Sequence, residues 1–343
     1  MGVAIGSILK RKTIPLESLR GKILAVDANN LLYQFLALVR TPKGIPLRDK
    51  RGNVTSHLVG LMFRSSHLMN DYGIPLAFVF DGRPPPSKEA EIQKRRKIRE
   101  KAYEEYEKAV STGDYQKAFS KAVMTARLSK NLVNDAKRLL SLLGIPYIQA
   151  QSEAEAQAAY MARVGHVWAC NSRDYDSILF GAPRLVRYVT ISGKEFLPAK
   201  DVSRPLIPEL ITLSEVLSQL HVTQEQLIDI AILIGTDFNR GVRGIGPKRG
   251  LDLITRYKSI ENLPEEIKVK VSVNYENVRK IYLNPPITHE YNIEYSGLQE
   301  SALYDFLCNE RNFSKQSVDT VVGRMKRFYS SLTQSDLAKW VGT

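Results

Sequence analysis

The stretch KILAVD, residues 22–27, is a short apolar run that ends on a carboxylate. A run this short, preceded by a glycine, suits a buried strand better than a helix. The same shape returns in PLAFVFD (75–81) and HVWACNSRD (166–174), each closing on an acid. Helical patterns lie between them: LLYQFLALVR, HLVGLMFRSSHLMNDYG, LVNDAKRLLSLLG and EAEAQAAYMARVG. Strands alternating with helices predict an α/β fold, a mostly parallel central sheet flanked by helices. In such sheets ligands bind beyond the carboxyl ends of the strands, which is where the acids fall.

The 343 residues suffice for one large domain or two modest ones. Forty-nine basic against 36 acidic residues give a formal net charge of +13, which favours a polyanionic partner, above all nucleic acid. The two cysteines, Cys170 and Cys308, lack metal-type spacing. They argue against a disulfide framework or zinc knuckle and fit a reducing compartment. The opening MGVAIGSILKRK puts apolar residues before basic ones, the reverse of a secretory signal, and Gly6 stands where a myristoylation motif needs Ser or Thr. No run approaches a membrane span, so the expected location is cytoplasmic, with no membrane partner.

Asp27, Asp81, Glu153, Glu155, Asp174, Asp176 and Asp237 stand at strand ends and turns. Singly, each has a plain structural explanation. Asp27 and Asp81 suit turns or helix caps, and Ser152-Glu153-Ala154-Glu155 fits a capping box. Together they would crowd one sheet edge with negative charge, which is unfavourable unless cations sit among them. Mg²⁺ takes one or two carboxylates, several waters and a substrate phosphate. Two such ions roughly 4 Å apart stabilise both the attacking and leaving oxygens of a phosphodiester displacement. Acids and basic surplus together read as a metal-dependent nuclease.

The run FDGRPPPSKEAEIQKRRKIREK (80–101) carries a basic helix directly out of one acid-terminated strand. Ser87 is the expected N-cap, with Glu89 and Glu91 in the first turn. Lys88 and Arg95 lie two turns apart and share a face, from which both would clamp a phosphate over Asp81. From Lys88 to about Lys130 the chain is charged and helix-forming, breaks near Ser111-Thr112-Gly113, and is expected to project from the core. GVRGIGPKRG (241–250) joins two predicted helices. Gly244 and Gly246 expose backbone N–H groups, Pro247 suits a first helical position, and Lys248 and Arg249 add charge. Such a turn grips a phosphate backbone without reading sequence.

The segments VDANNLLYQFL, FVFDGRPPPSK, QSEAEAQAAYM, NSRDYDSILFG and IGTDFNRGVRGIGPKRG occur in that order. With them the chain resembles the flap endonucleases, the structure-specific 5′ nucleases of DNA replication and repair, in their archaeal form and over nearly its whole length. The resemblance implies a PIN-like nuclease core with a projecting helical arch and a helix–two-turn–helix element. It divides the chain into core at 1–100, arch at 101–130, core again at 131–258 with the helix–two-turn–helix at about 224–256, a C-terminal helical region at 259–332, and a tail at 333–343. It also implies 5′ flap cleavage and 5′–3′ exonuclease activity, in Okazaki-fragment maturation and repair. The metal ligands would be the seven acids, holding two Mg²⁺, with Mn²⁺ able to substitute and K⁺ at the helix–two-turn–helix. Lys88 and Arg95 would be the catalytic pair. Gly2 would lie near the site after loss of Met1, and Tyr33 and Arg40 would join Gly244, Gly246, Lys248 and Arg249 in holding DNA. QSDLAKWV (334–341) is similar to the sliding-clamp motif: Gln334, Leu337 and Trp340 match, and Val341 replaces its second aromatic. The implied partners are flap or junction DNA and the clamp, with a monomer when off the clamp. The alternatives are a non-catalytic junction-DNA-binding scaffold and a related 5′ exonuclease.

Overall fold

The computed structural model describes residues 2–41, 44–114, 120–121, 125, 127–190, 194–197 and 202–341, with backbone alone for 194–197, 202–205 and 333–341. The acid-terminated runs become strands shorter than the runs themselves, because pairing lasts only while neighbouring strands stay in register. In chain order the strands are β1 (Lys12–Thr13), β2 (Leu24–Asp27), β3 (Leu76–Phe80), β4 (Tyr147–Gln149), β5 (Ala169–Asn171), β6 (Arg184–Arg187), β7 (Lys194–Leu197), β8 (Val202–Pro205) and β9 (Glu209–Thr212). Seven of them form one sheet in the order β1-β9-β6-β5-β2-β3-β4, and β7 pairs with β8 as a separate antiparallel ribbon. The run from β4 to β6 is parallel, and β9 and β1 add antiparallel strands at one edge. Leu24 sits opposite both Leu76 and Ala169, so β2, β3 and β5 finish at the same edge of the sheet.

Both sheet faces are covered, which explains why the central strands read as continuous apolar runs rather than alternating ones. Ala25, Ala77, Val79 and Cys170 pack on one side, against the helices Ala154–Arg163 and Gln224–Ile234. Leu24, Val26, Leu76, Phe78 and Phe80 pack on the other, against α1 (Ala28–Leu38), α2 (Ser56–Asp71) and the helices Lys130–Leu143 and Lys315–Val341. The result is a mixed α/β fold with a central sheet and flanking helices. Among the described residues no helix is long and apolar enough to cross a membrane.

The helices α1 and α2 approach closely at Gly60, where a Cβ would stand 2.2 Å from Phe35 Cγ. Alanine gains about 1 kcal/mol over glycine within a helix, but overpacking a filled core costs about 1–3 kcal/mol. Gly60→Ala is therefore expected to destabilise the fold by up to about 2 kcal/mol, read as a lower urea midpoint at unchanged slope. A raised midpoint would show that the interface yields.

Beyond β3 a 3₁₀ turn, Pro86–Lys88, leads into α3 (Glu89–Ser111). Ser87 does not cap α3, contrary to the sequence expectation. The N-cap is Lys88 without a side-chain cap bond, and Ser87 Oγ is buried inside the turn with no hydrogen-bond partner. The prolines set that turn by fixing their own φ, and they carry the serine one residue short of the cap. The buried residues of α3 are Ala102 and Ala109; Ile98, Tyr103 and Val110 are exposed.

Candidate active site

Asp27 closes β2 and at once caps α1: its Oδ1 accepts from the Asn30 backbone N–H at 3.0 Å. The Asn30 side chain then donates to Asp174 Oδ2 at 2.9 Å, tying the end of β2 to the loop after β5. Asp81, just past β3, reaches the next helix, where its Oδ1 accepts from Ala154 N at 2.9 Å. That contact replaces the capping box expected at 152–155. Glu153 is the N-cap with no side-chain cap bond, and Glu155 Oε1 is buried with no hydrogen-bond partner. Glu153 is thereby free to pair with Lys88 Nζ.

Asp174 and Asp176 flank Tyr175, and Asp176, only 6% exposed, accepts from Tyr282 OH at 3.1 Å. Asp237 follows the helix Gln224–Ile234 and takes Arg95 Nη2 on both oxygens, each at 2.7 Å. Lys88 Nζ lies 3.6 Å from the same carboxylate, so one face of α3 and the turn before it meets the acids with both cations. Gly2 lies against the acidic loop: a Cβ there would stand 1.8 Å from Asp176 Oδ2 and 3.0 Å from Asp174 Cβ.

The acids feel one another. Burial, then Asp81 and more weakly Asp174, hold Asp27 well above the usual carboxylate range. Burial, then Asp176, Asp27 and Asp174, do the same to Glu155. Burial, then Asp237 and Asp174, push Asp176 up to about 7. Burial also raises Glu153, against the opposing pull of Lys88. For Lys88 burial works against the charge, but Glu153, Asp237 and Asp81 outweigh it and the ammonium is held above its usual value.

Among the described residues, no three Asp, Glu, His or Cys side chains already converge into an ion-holding group. Mg²⁺ does not require one, because it keeps several waters and uses one or two carboxylates. The donor set is all oxygen, it repels itself in the absence of a cation, and Glu155 offers a buried, unpartnered acceptor. Those are the properties of a site for hard divalent cations.

The other residues singled out in the sequence fall on several elements. Tyr33 is on α1, 37% exposed, with Arg99 Nη1 3.5 Å from its hydroxyl. Arg40 caps the end of α1, donating from Nε to the Leu36 and Ala37 carbonyls at 3.0 and 3.2 Å and from Nη1 to Gly44 O at 2.9 Å. Past Asp237, Gly244 adopts a left-handed φ of 83°, and Gly246 caps the helix Pro247–Tyr257 with open space where a Cβ would be. Lys248 and Arg249 are exposed beside it. Gln334, Leu337, Trp340 and Val341 fall on the last turns of the helix Lys315–Val341, and their side chains lie outside the described residues.

Sequence reasoning missed Asn30, Gln149 and Tyr282. Gln149 Nε2 donates to the Asp81 carbonyl at 2.6 Å and steadies that turn. Asn30 had a local signal, since it stands three residues after Asp27 at a capping spacing. Tyr282 had none, because its partner lies 106 residues away.

Residues 2–102 match the XPG N-terminal domain and residues 144–237 the XPG I-region. The flap endonuclease 1 of Pyrococcus horikoshii is 46% identical over 341 residues, spanning 99% of this chain and 98% of its own. The chain belongs to the flap endonuclease family. Flap endonuclease 1 of Archaeoglobus fulgidus is 44% identical over 99% of this chain and 100% of its own. The solved flap endonuclease-1 from Methanococcus jannaschii superposes with a TM-score of 0.74 at 37% identity, over 97% of this chain and 100% of that one. The DNA-bound catalytic core of Rad2, with a TM-score of 0.69 at 21% identity over 94% of this chain and 97% of that one, shares the fold. Asp27, Asp81, Lys88 and Arg95 fall within the first matched region, and Glu153, Glu155, Asp174, Asp176 and Asp237 within the second.

Proposed function

We propose that this chain, a structure-specific 5′ nuclease of flap and junction DNA, cuts 5′ flaps near the junction with two Mg²⁺ held by Asp27, Asp81, Glu153, Glu155, Asp174, Asp176 and Asp237. The observation that carries the reading is the meeting of Lys88 and Arg95 with Glu153 and Asp237 at the carboxyl edge of the sheet. When bound, the divalent cations supply Lewis acidity and a nucleophile at neutral pH, and Mn²⁺ can take their place. Asn30 and Tyr282 orient Asp174 and Asp176 by donating to them. Arg95 grips Asp237 with both carboxylate oxygens engaged, and a phosphate presents the same pair of acceptors. Lys88, held positive by its neighbours, neutralises charge that builds on the phosphate oxygens.

In this reading α3 starts the arch over the 5′ strand, and Tyr33 stacks a base beside it. The two helices around Gly244 and Gly246 form the helix–two-turn–helix. There the open helix N-terminus, Lys248 and Arg249 hold duplex phosphates, with K⁺ at the turn. Arg40 adds charge near the same strand. Gln334, Leu337, Trp340 and Val341 form a tail that docks on the sliding clamp, and the enzyme is a monomer away from it.

The test is a labelled 5′ flap, a matched single strand and a blunt duplex, each incubated with Mg²⁺. The flap is expected to be cut fastest, at the junction. Equal rates on all three would overturn the structure-specific reading, and no Mg²⁺-dependent cleavage of any would favour the scaffold.

A further inference from the structure

The turn that carries Asp174 and Asp176 is braced by a guanidinium. Arg187 ends β6, the strand paired with β5, and its side chain is 7% exposed. Its Nε donates to the Arg173 carbonyl at 2.9 Å. Its Nη1 donates to Tyr175 OH at 2.7 Å and to Glu209 Oε2 at 2.8 Å, and its Nη2 to Tyr188 OH at 2.9 Å. The rings of Tyr175 and Tyr188 lie against it, with centroids 4.2 and 4.6 Å from Cζ. Tyr188 holds a left-handed φ of 61°, a conformation a bulky residue keeps only where its surroundings impose it.

A buried guanidinium is costly unless its donors are met, and here Arg173 and Tyr175 on the acidic turn are two of the partners. Arg173 O and Tyr175 OH flank Asp174, and Tyr175 immediately precedes Asp176. Each acid is also held from another side, Asp174 by Asn30 and Asp176 by Tyr282. The hydroxyl end of Tyr175 meets the start of the chain: a Cβ on Gly6 would stand 2.5 Å from its hydroxyl. One aromatic side chain thus touches both Arg187 and the N-terminal segment whose Gly2 lies against Asp174 and Asp176.

We infer that Arg187, acting through Tyr175, is a positioning residue that sets how Asp174 and Asp176 present their carboxylates, and through them the affinity for divalent cations. This rests on the nuclease reading above. A brace that served folding alone would change stability and leave cation affinity untouched. Residues that orient metal ligands change affinity itself, by about 10–100-fold when removed.

The experiment titrates Mn²⁺ into DNA-free protein by calorimetry for wild type, Tyr175→Phe, Arg187→Lys and Tyr295→Phe, with a thermal melt of each. Tyr295→Phe is the matched control, since its hydroxyl donates to Leu76 O at 3.0 Å, at the opposite end of β3 from the acids. Tyr175→Phe is expected to weaken Mn²⁺ binding about tenfold, Arg187→Lys at least as much because an ammonium cannot reproduce the fork, and Tyr295→Phe not at all. Wild-type affinity in both site variants would overturn the inference, as would an equal loss in Tyr295→Phe. No Mn²⁺ binding by wild type would overturn the nuclease reading, and this inference with it.

Discussion

Asp174→Ala is expected to cut a 5′ flap at least about a thousandfold more slowly than wild type at saturating Mg²⁺, a loss of about 4 kcal/mol in transition-state stabilisation. Asp174 lies among Asp27, Glu155 and Asp176, each of which its charge raises, so it faces the same space as they do. Its carboxylate is pre-aimed by the Asn30 side chain, which the substitution leaves without that acceptor. Flap affinity measured in EDTA should stay the same or tighten, because a negative charge facing the phosphates has been removed. Fluorescence polarisation gives the binding and single-turnover quenching gives the rate. Wild-type cleavage by this variant would make the metal assignment wrong.

Lys88→Met keeps the length and apolar stem of the side chain and deletes only its charge. Single-turnover cleavage should fall by about 10²–10³-fold, the usual loss when one preorganised charge or donor is taken from a developing transition state. Lys88 is 16% exposed and sits 3.6 Å from Asp237, so little water screens it. Because the interaction grows as the phosphate gains charge, the loss should appear in kcat and in kcat/KM equally. A raised KM with kcat unchanged would reassign Lys88 to plain DNA binding.

The strands β2, β3 and β5 were legible because both of their faces are buried, which leaves an unbroken apolar run in the chain. Strand β6 was not, since RLVR puts an arginine at each end. One of those, Arg187, is buried only because Tyr175, Tyr188 and Glu209 gather round it. No pattern within six residues of β6 announces such a pocket. All seven acids could be read as a set because strand ends and turns share one edge in a parallel sheet. The supports of that edge could not. One helix start was also misread where a distant group took the cap's place: Asp81, just past β3, accepts from Ala154 N, and the capping box expected of Ser152 and Glu155 does not form. Tertiary contact overrode local propensity there, whereas at Ser87 the neighbouring prolines did so locally.

The strand order has a consequence for how the protein comes into being. β2 lies between β3, which follows it by about fifty residues in the chain, and β5, which follows by about 145. Asp237 arrives later still. A chain leaving the ribosome therefore carries Asp27 and Asp81 long before the other carboxylates exist, and long-range parallel pairing is slow to form. Incomplete chains and fragments ending before Asp237 hold only part of the acidic set. If the acids act together as proposed, competence to cut is acquired late in synthesis, and a product truncated before Asp237 is expected to be inert rather than unselective toward DNA.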